Sequence, residues 1–323
     1  MPKWTAADIP DQSGRLAVVT GANSGLGFFT ALELARTGAH VVATARDAAR
    51  GEEAAASIRE STPGAEIEVE RPDLADLGSI RAFAERFAGR HEGLDLLVNN
   101  AGVMALPRRL TADGFEVHVG TNHLGHFALT GLLLERLLAR PAPRVVTVTS
   151  EAHRIGRINF DDLHGERRYS RWLAYGQSKL ANLLFAYELQ RRADAAGGAL
   201  KSMAAHPGYA ATNLQSGASR AGRGLVTAIE GRAMALGNRF LAQSDEMGAL
   251  PTLYAATVPD LPGGSYVGPD GLFEQRGYPK LVDSSRASKD PSTARRLWEL
   301  SEELIGVRLE LRGEGRASPP KAR

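Results

Sequence analysis

The 323-residue chain contains no cysteine. That absence excludes a disulfide framework, a thiolate metal centre and a cysteine nucleophile together. An excess of charge of one sign is also missing. Against 39 Lys and Arg stand 37 Asp and Glu, a net +2, and the charges are too scattered to track a nucleic-acid backbone. No nucleic-acid partner is expected, and a small-molecule substrate is. Long hydrophobic runs are lacking too: the most apolar one, 129–138, is broken by Glu135 and Arg136. It falls far short of the roughly 20 residues of a membrane span, so no span is expected. Residues 1–14 are polar, with Pro2 and Pro10, and carry no apolar core of a secretory signal. A cytoplasmic location is therefore the expectation.

What the chain does contain is alternation. Short β-branched runs at 16–20, 40–45, 67–70, 94–98, 145–149 and 201–205 are separated by stretches with apolar residues at helical spacing, 26–37, 48–60, 77–90, 111–139 and 172–192. Strands apolar along their whole length must be covered on both faces. The expected fold class is therefore α/β, a single Rossmann-like doubly wound parallel sheet with helices on both faces and a ligand crevice at the carboxyl ends of the strands. Asp47 and Gly38 read as helix caps. Later elements are expected as helices at 225–242 and 245–256, a short strand at 266–267 and a last helix over 291–305 with proline in its first position. The domain is expected to span 14–311, after an N-terminal extension (1–13) and before a flexible tail (312–323). A substrate lid is expected at about 213–243, where Gly, Ser, Ala and Arg precede an apolar helix.

Three stretches carry chemistry. Gly21, Asn23, Ser24, Gly25, Leu26 and Gly27 follow the first strand and open the first helix in a Gly-x-x-x-Gly-x-Gly spacing. Glycines there let the backbone approach a pyrophosphate, and the helix N-terminus presents N–H groups and a positive dipole end. At the end of the second strand stand Arg46 and Asp47. A guanidinium there matches a ribose phosphate and favours NADP, whereas an acidic residue would favour NAD; Asp47 fits a helix cap better, so NADP (NADPH) is expected, with NAD possible. The third stretch holds Tyr175 and Lys179, four residues apart on one helix face, with Ser150 closing the fifth strand. A neighbouring ammonium favours the phenolate and is expected to bring Tyr175 toward acid/base work near neutrality. Thr149 competes with Ser150 for the crevice-facing place.

Taken in order, Thr20 to Gly27, Asp73, Asn99-Asn100-Ala101-Gly102, Asn122, Ser150, Tyr175-Gly176-Gln177-Ser178-Lys179 and Pro207-Gly208 resemble the short-chain dehydrogenase/reductase family over roughly residues 14–270. The segments 122–127, 178–185 and 206–208 are most similar to its retinol-dehydrogenase-like branch. The resemblance implies an oxidoreductase that interconverts an alcohol and a carbonyl. It assigns Tyr175 as general acid/base, Lys179 as its partner on the nicotinamide ribose, Ser150 as the group polarising the substrate oxygen, and Asn122 as the holder of a water beside Lys179. It further places Asp73 and Leu74 at the adenine, Asn99, Ala101 and Gly102 on the cofactor wall, and Pro207, Gly208 and Thr212 near the nicotinamide. A homo-oligomer is implied in the same way.

Apolar residues in the expected lid, among them Leu225, Ile229 and Phe240, point to a lipophilic substrate. His118, His123, His126, His153 and His164 show no metal-ligand spacing, so no metal is expected. Two other readings stay open: a nucleotide-sugar epimerase or dehydratase, which also pairs Tyr with Lys, and a dinucleotide-sensing protein without catalysis.

Overall fold

The computed structural model describes residues 3–209 and 243–311. Thr212, nearly all of the expected lid and its helix at 225–242, and the tail 312–323 lie outside the described residues. The elements run β1 (Leu16–Thr20), α1 (Gly25–Arg36), β2 (His40–Thr44), α2 (Ala48–Ser61), β3 (Ile67–Glu70), α3 (Leu77–Arg90), β4 (Leu96–Asn99), a π-helical turn (Val119–Leu124) leading into α4 (Gly125–Leu132), then α5 (Leu134–Leu138) and β5 (Arg144–Val148). After a 3-10 turn (Glu151–Ile155) come α6 (Arg171–Ala195) and β6 (Lys201–Ala205). Following the undescribed stretch are α7 (Asp245–Thr257), β7 (Tyr266–Pro269), β8 (Pro279–Leu281) and α8 (Pro291–Ile305).

The strands form one sheet in the order β3-β2-β1-β4-β5-β6-β7-β8, parallel except for the antiparallel β7–β8 edge. Alternate residues of one strand feed opposite cores. Val18, Val42, Leu97 and Val145 pack with Phe83, Phe127, Phe185 and Trp298 on one face. On the other, Ala17, Val19, Val41 and Val146 pack with Leu34, Ile58 and Leu253. The order reverses between β1 and β4, and that switch point opens a crevice above the strand tips.

Two readings of the sequence are corrected by the fold. The stretch 111–139 is not one helix. Gly114 turns with φ 85°, Leu110 bridges Glu116 antiparallel, and helical geometry begins only near Val119, because the Glu116 carboxylate accepts from the N–H groups of His118 and Val119 and so starts the turn there. The antiparallel β8 was also unforeseen. Only three residues long, it has no alternation to announce it.

Candidate active site

The helices around this crevice are not all held alike at their starts. Asp47 accepts from Arg50 N–H and Asp76 from Ser79 N–H, so α2 and α3 are capped by carboxylates. Ser24, at the cap of α1, makes no side-chain cap hydrogen bond. The α1 terminus thus faces the crevice with its positive dipole end uncapped by a side chain. A Cβ on Gly27 would lie 2.3 Å from the Gly21 carbonyl and 2.5 Å from the Asn100 amide, so the turn closes this tightly only around glycine. The cradle fits a pyrophosphate held by backbone. It belongs to a crevice of about 1170 Å³ lined by Gly21, Asn23, Ser24, Gly25, Leu26, Gly27, Arg46, Asp73, Leu74, Ala101, Gly102, Ser150, Tyr175, Lys179, Pro207 and Gly208. Arg46 and Arg50 stand together at its β2 end, while Asp47 is engaged as the α2 cap. Asp73 is no helix cap: its Oδ1 accepts from Ala75 N–H at 3.0 Å, and Asp76 caps α3 instead.

The β4 side is tied to β1 by one hydroxyl. Thr20 Oγ1 accepts from the N–H groups of Asn100 (2.8 Å) and Ala101 (2.9 Å) and lies 3.0 Å from His126 Nε2. His126 Nδ1 meets the Asn122 carbonyl at 3.0 Å, which can only accept, so the ring proton sits on Nδ1 and Thr20 donates to Nε2. Burial pushes the His126 pKa down to about 4, which keeps the ring neutral.

Two expected residues do not reach the crevice. Asn99 is fully buried and its amide donates to Thr130 Oγ1 at 3.1 Å; by strand alternation the wall is lined by Asn100. Asn122 is likewise buried in the π-helical turn. Its amide donates to the Val103 carbonyl (2.9 Å) and Ser178 Oγ (2.9 Å), and its Oδ1 accepts from Val103 N–H (2.8 Å). The side chain braces the Gly102–Val103 backbone under Lys179, with both amide hydrogens taken by protein partners.

Tyr175, Lys179 and Ser150 do come together. Gly176 makes this possible. A Cβ on Gly156 would fall 2.3 Å from the Gly176 carbonyl, so α6 and the 3-10 turn after β5 touch backbone to backbone. That contact presses Tyr175 against Ser150, which caps the 3-10 turn by accepting from Ala152 N–H at 3.2 Å. Thr149 turns the other way and donates to the Lys179 carbonyl at 2.8 Å, which leaves Ser150 as the crevice-facing hydroxyl. Lys179 Nζ donates to the Val148 carbonyl at 3.1 Å and lies 5.8 Å from the centre of the Tyr175 ring.

The electrostatics correct the sequence expectation for Tyr175. Burial pushes its pKa up to about 12, and the hydrogen bond with Ser150 offsets this only in part. Burial also pulls Lys179 down to about 8. Burial is the dominant cause, so the hydroxyl keeps its proton at neutral pH.

A neighbouring cluster went unnoticed in the sequence. His118 Nδ1 donates to Glu116 Oε1 at 2.7 Å, its Nε2 accepts from Leu106 N–H at 3.1 Å, and Tyr169 donates to the Leu106 carbonyl at 2.9 Å with Glu116 Oε1 at 3.1 Å. Burial pushes the Glu116 pKa up, but the bonds from His118 and from backbone N–H groups outweigh it and hold the carboxyl below its ordinary value. The cluster fixes the loop from Val103 to Arg109, which lines the end of the crevice next to Trp172.

A doubly wound sheet, an uncapped glycine turn at its switch point and a Ser-Tyr-Lys group at the strand tips define a dinucleotide-dependent oxidoreductase. The sequence pattern of the short chain dehydrogenase family matches residues 15–222, and the chain belongs to that family. It is 44% identical over 299 residues to human retinol dehydrogenase 12, covering 92% of this chain and 88% of that one. It is 43% identical over 309 residues to mouse polyprenol dehydrogenase, covering 93% and 86%. Among solved structures it resembles a protein from Mycobacterium paratuberculosis, with 49% identity, a TM-score of 0.78 and coverage of 96% and 100%. It also resembles a structure from Beutenbergia cavernae, described as an NAD(P) dependent gluconate 5-dehydrogenase with NADP bound at low occupancy, with 28% identity, a TM-score of 0.59 and coverage of 76% and 91%. The protein is thus a retinol-dehydrogenase-like oxidoreductase acting on CH–OH groups, which interconverts alcohol and carbonyl with a nicotinamide dinucleotide.

Proposed function

We propose that this chain is an NADPH-linked reductase of lipophilic carbonyl compounds, working reversibly on the corresponding alcohols. The observation that carries the reading is the convergence of the Ser150 and Tyr175 hydroxyls on one end of a crevice whose other end holds Arg46 and Arg50. Two guanidiniums at the tip of β2, with the nearby Asp47 carboxylate engaged as a cap, favour a 2′-phosphate over a free ribose hydroxyl. Val103, Met104, Leu106, Pro107 and Trp172 give the substrate end an apolar wall, flanked by Arg108 and Arg109. The relatives named for retinol and polyprenol point to the same class of alcohol.

When bound, the nicotinamide supplies or takes up the hydride. The chain's part is to hold the oxygen and move the proton. Ser150 and Tyr175 donate to the substrate carbonyl oxygen, which gains negative charge as it is reduced. Tyr175, still protonated at neutral pH, then gives its proton to that oxygen. Lys179, fixed by the Val148 carbonyl, stands behind the phenolate that remains and would hold the nicotinamide ribose when the cofactor is bound. Asn122 and Thr20 act one layer further back, keeping Gly102 and Ala101 in line. Pro207 and Gly208 close the wall near the nicotinamide, and Thr212 is proposed to extend it. As in the family at large, a homo-oligomer is the proposed state.

The test is NADPH against NADH binding by protein fluorescence, followed by a panel of long-chain aldehydes and ketones read by NADPH absorbance. Tighter NADPH binding, weakened about tenfold in Arg46→Ala, and turnover of the panel are expected. Equal affinity for the two cofactors would contradict the Arg46 assignment.

A further inference from the structure

Beside Ser150 and beneath the Pro207–Gly208 turn lies a buried knot that the reaction scheme does not use. His206 directly follows β6 and is fully buried. Its Nδ1 accepts from Gly208 N–H at 3.3 Å, so the proton of the neutral ring sits on Nε2. That nitrogen lies 3.3 Å from Glu274 Oε2 and 3.6 Å from Glu151 Oε1. Neither contact has hydrogen-bond geometry, and none of the three atoms has another hydrogen-bond partner. Arg154 supplies the counter-charge, 2.5 Å from Glu151 and 3.8 Å from Glu274. Space for the ring is kept by Gly268, where a Cβ would fall 2.0 Å from Nε2.

Glu151 lines the crevice itself, and His206 and Glu274 adjoin it through their neighbours in sequence. Glu151 follows Ser150, His206 precedes Pro207, and Glu274 precedes Gln275, whose carbonyl accepts from Tyr209 N–H at 2.7 Å. The backbone is bent to bring Glu274 inward: Phe273 and Glu274 both sit at positive φ, 52° and 56°, while the Leu272 and Phe273 side chains are left almost fully exposed. Two consecutive non-glycine residues in that region are strained, and such strain persists only where the surroundings impose it.

We propose that Glu151, His206 and Glu274 form a positioning knot that holds the Ser150 hydroxyl in register with the Pro207–Gly208 turn. His206 and Glu274 lie outside the crevice lining and act through the residues beside them. A divalent cation among the same three side chains is the rival occupant, and two observations weigh against it: the Nε2 proton set by Gly208, and Arg154 already serving both carboxylates. The proposal rests on the reading of Ser150 as a substrate-facing donor.

The test uses the full chain with Glu274→Gln, and with Gly268→Ala, which displaces the His206 ring without removing a charge. Glu274→Gln is expected to lower kcat about 10- to 100-fold at a KM for the carbonyl substrate within about twofold of wild type. Combined with Ser150→Ala it is expected to cost nothing further, because both changes act through one hydroxyl. Gly268→Ala is expected to show the same pattern. Wild-type kcat in both variants, or a loss that multiplies fully onto that of Ser150→Ala, overturns the knot while leaving the assigned chemistry intact. Failure of that chemistry would show separately, as a Ser150→Ala enzyme with unaltered turnover. Equilibrium dialysis against Zn2+ settles the rival: one equivalent taken up by wild type and lost in Glu274→Gln overturns the proposal, and no saturable uptake supports it.

Discussion

Two tyrosines, Tyr169 half-buried and Tyr175 buried, sit within a few residues of each other among charged groups, and they teach opposite lessons. Tyr169 hydrogen-bonds Leu106 and Glu116, and Glu116 in turn takes bonds from His118 and two backbone N–H groups. Its acidity is depressed first by burial and then by the Glu116 charge, so its hydroxyl is locked as a donor. Tyr175, whose ring is 6.2 Å from that of His118, shares its hydroxyl with Ser150 and opens into the crevice. The ingredients are alike. What differs is whether hydrogen-bonding capacity is consumed by the protein or left for a ligand, and in this account that separates a structural tyrosine from a reactive one.

Mutations can break or sharpen that contrast. The largest effect is expected from Tyr175→Phe: turnover falls about a thousandfold while NADPH still binds, as fluorescence titration beside steady-state rates would show. Ser150→Ala is expected to lose about a hundredfold in kcat, since one donor to the developing alkoxide is gone. In the closed cluster, Glu116→Ala strands the His118 ring proton and two backbone N–H groups. A loss of about 2–3 kcal/mol in urea unfolding is expected, and a fully stable variant would show that the cluster is not structural. Tyr169→Phe should cost only about 1 kcal/mol and leave kcat within about twofold.

The pH dependence of stability carries the same contrast. Lys179 has its pKa lowered by burial from 10.5 to about 8, so between those values the unfolded chain binds the proton and the folded one does not. Stability of the ligand-free protein should therefore rise with pH across that window, by an amount on the order of 3 kcal/mol from this one group. Lys179→Met should remove the rise. A mutant and wild type with parallel pH profiles from pH 8 to 10.5 would contradict the burial of a charged amine.

Much of this was legible in the sequence because it rests on local spacing. The glycine turn, the Tyr-Lys pair and the strands β1, β3 and β6 are each fixed by neighbours a few residues away, and the β1 and α3 limits stand where periodicity put them. What was not legible depends on direction or on distance along the chain. One residue of strand register sends Asn99 into the core and Asn100 to the wall. The bracing role of Asn122 depends on Val103 and Ser178, its partners across the fold, which no local spacing reports. The sign of the Tyr175 shift needed burial, which no spacing reports. The knot of Glu151, His206 and Glu274 gathers residues from three separate connections and has no motif. A charged residue next to each crevice-lining one was the only signal available.

The most direct measurement is the structure of a ternary complex with NADPH and an unreactive analogue of a long-chain ketone. The account predicts the analogue oxygen within about 2.6–3.2 Å of both the Tyr175 and Ser150 hydroxyls, with Tyr169 still bonded to Leu106. An oxygen held instead by Tyr169, or a nicotinamide ring out of reach of Tyr175, would contradict it.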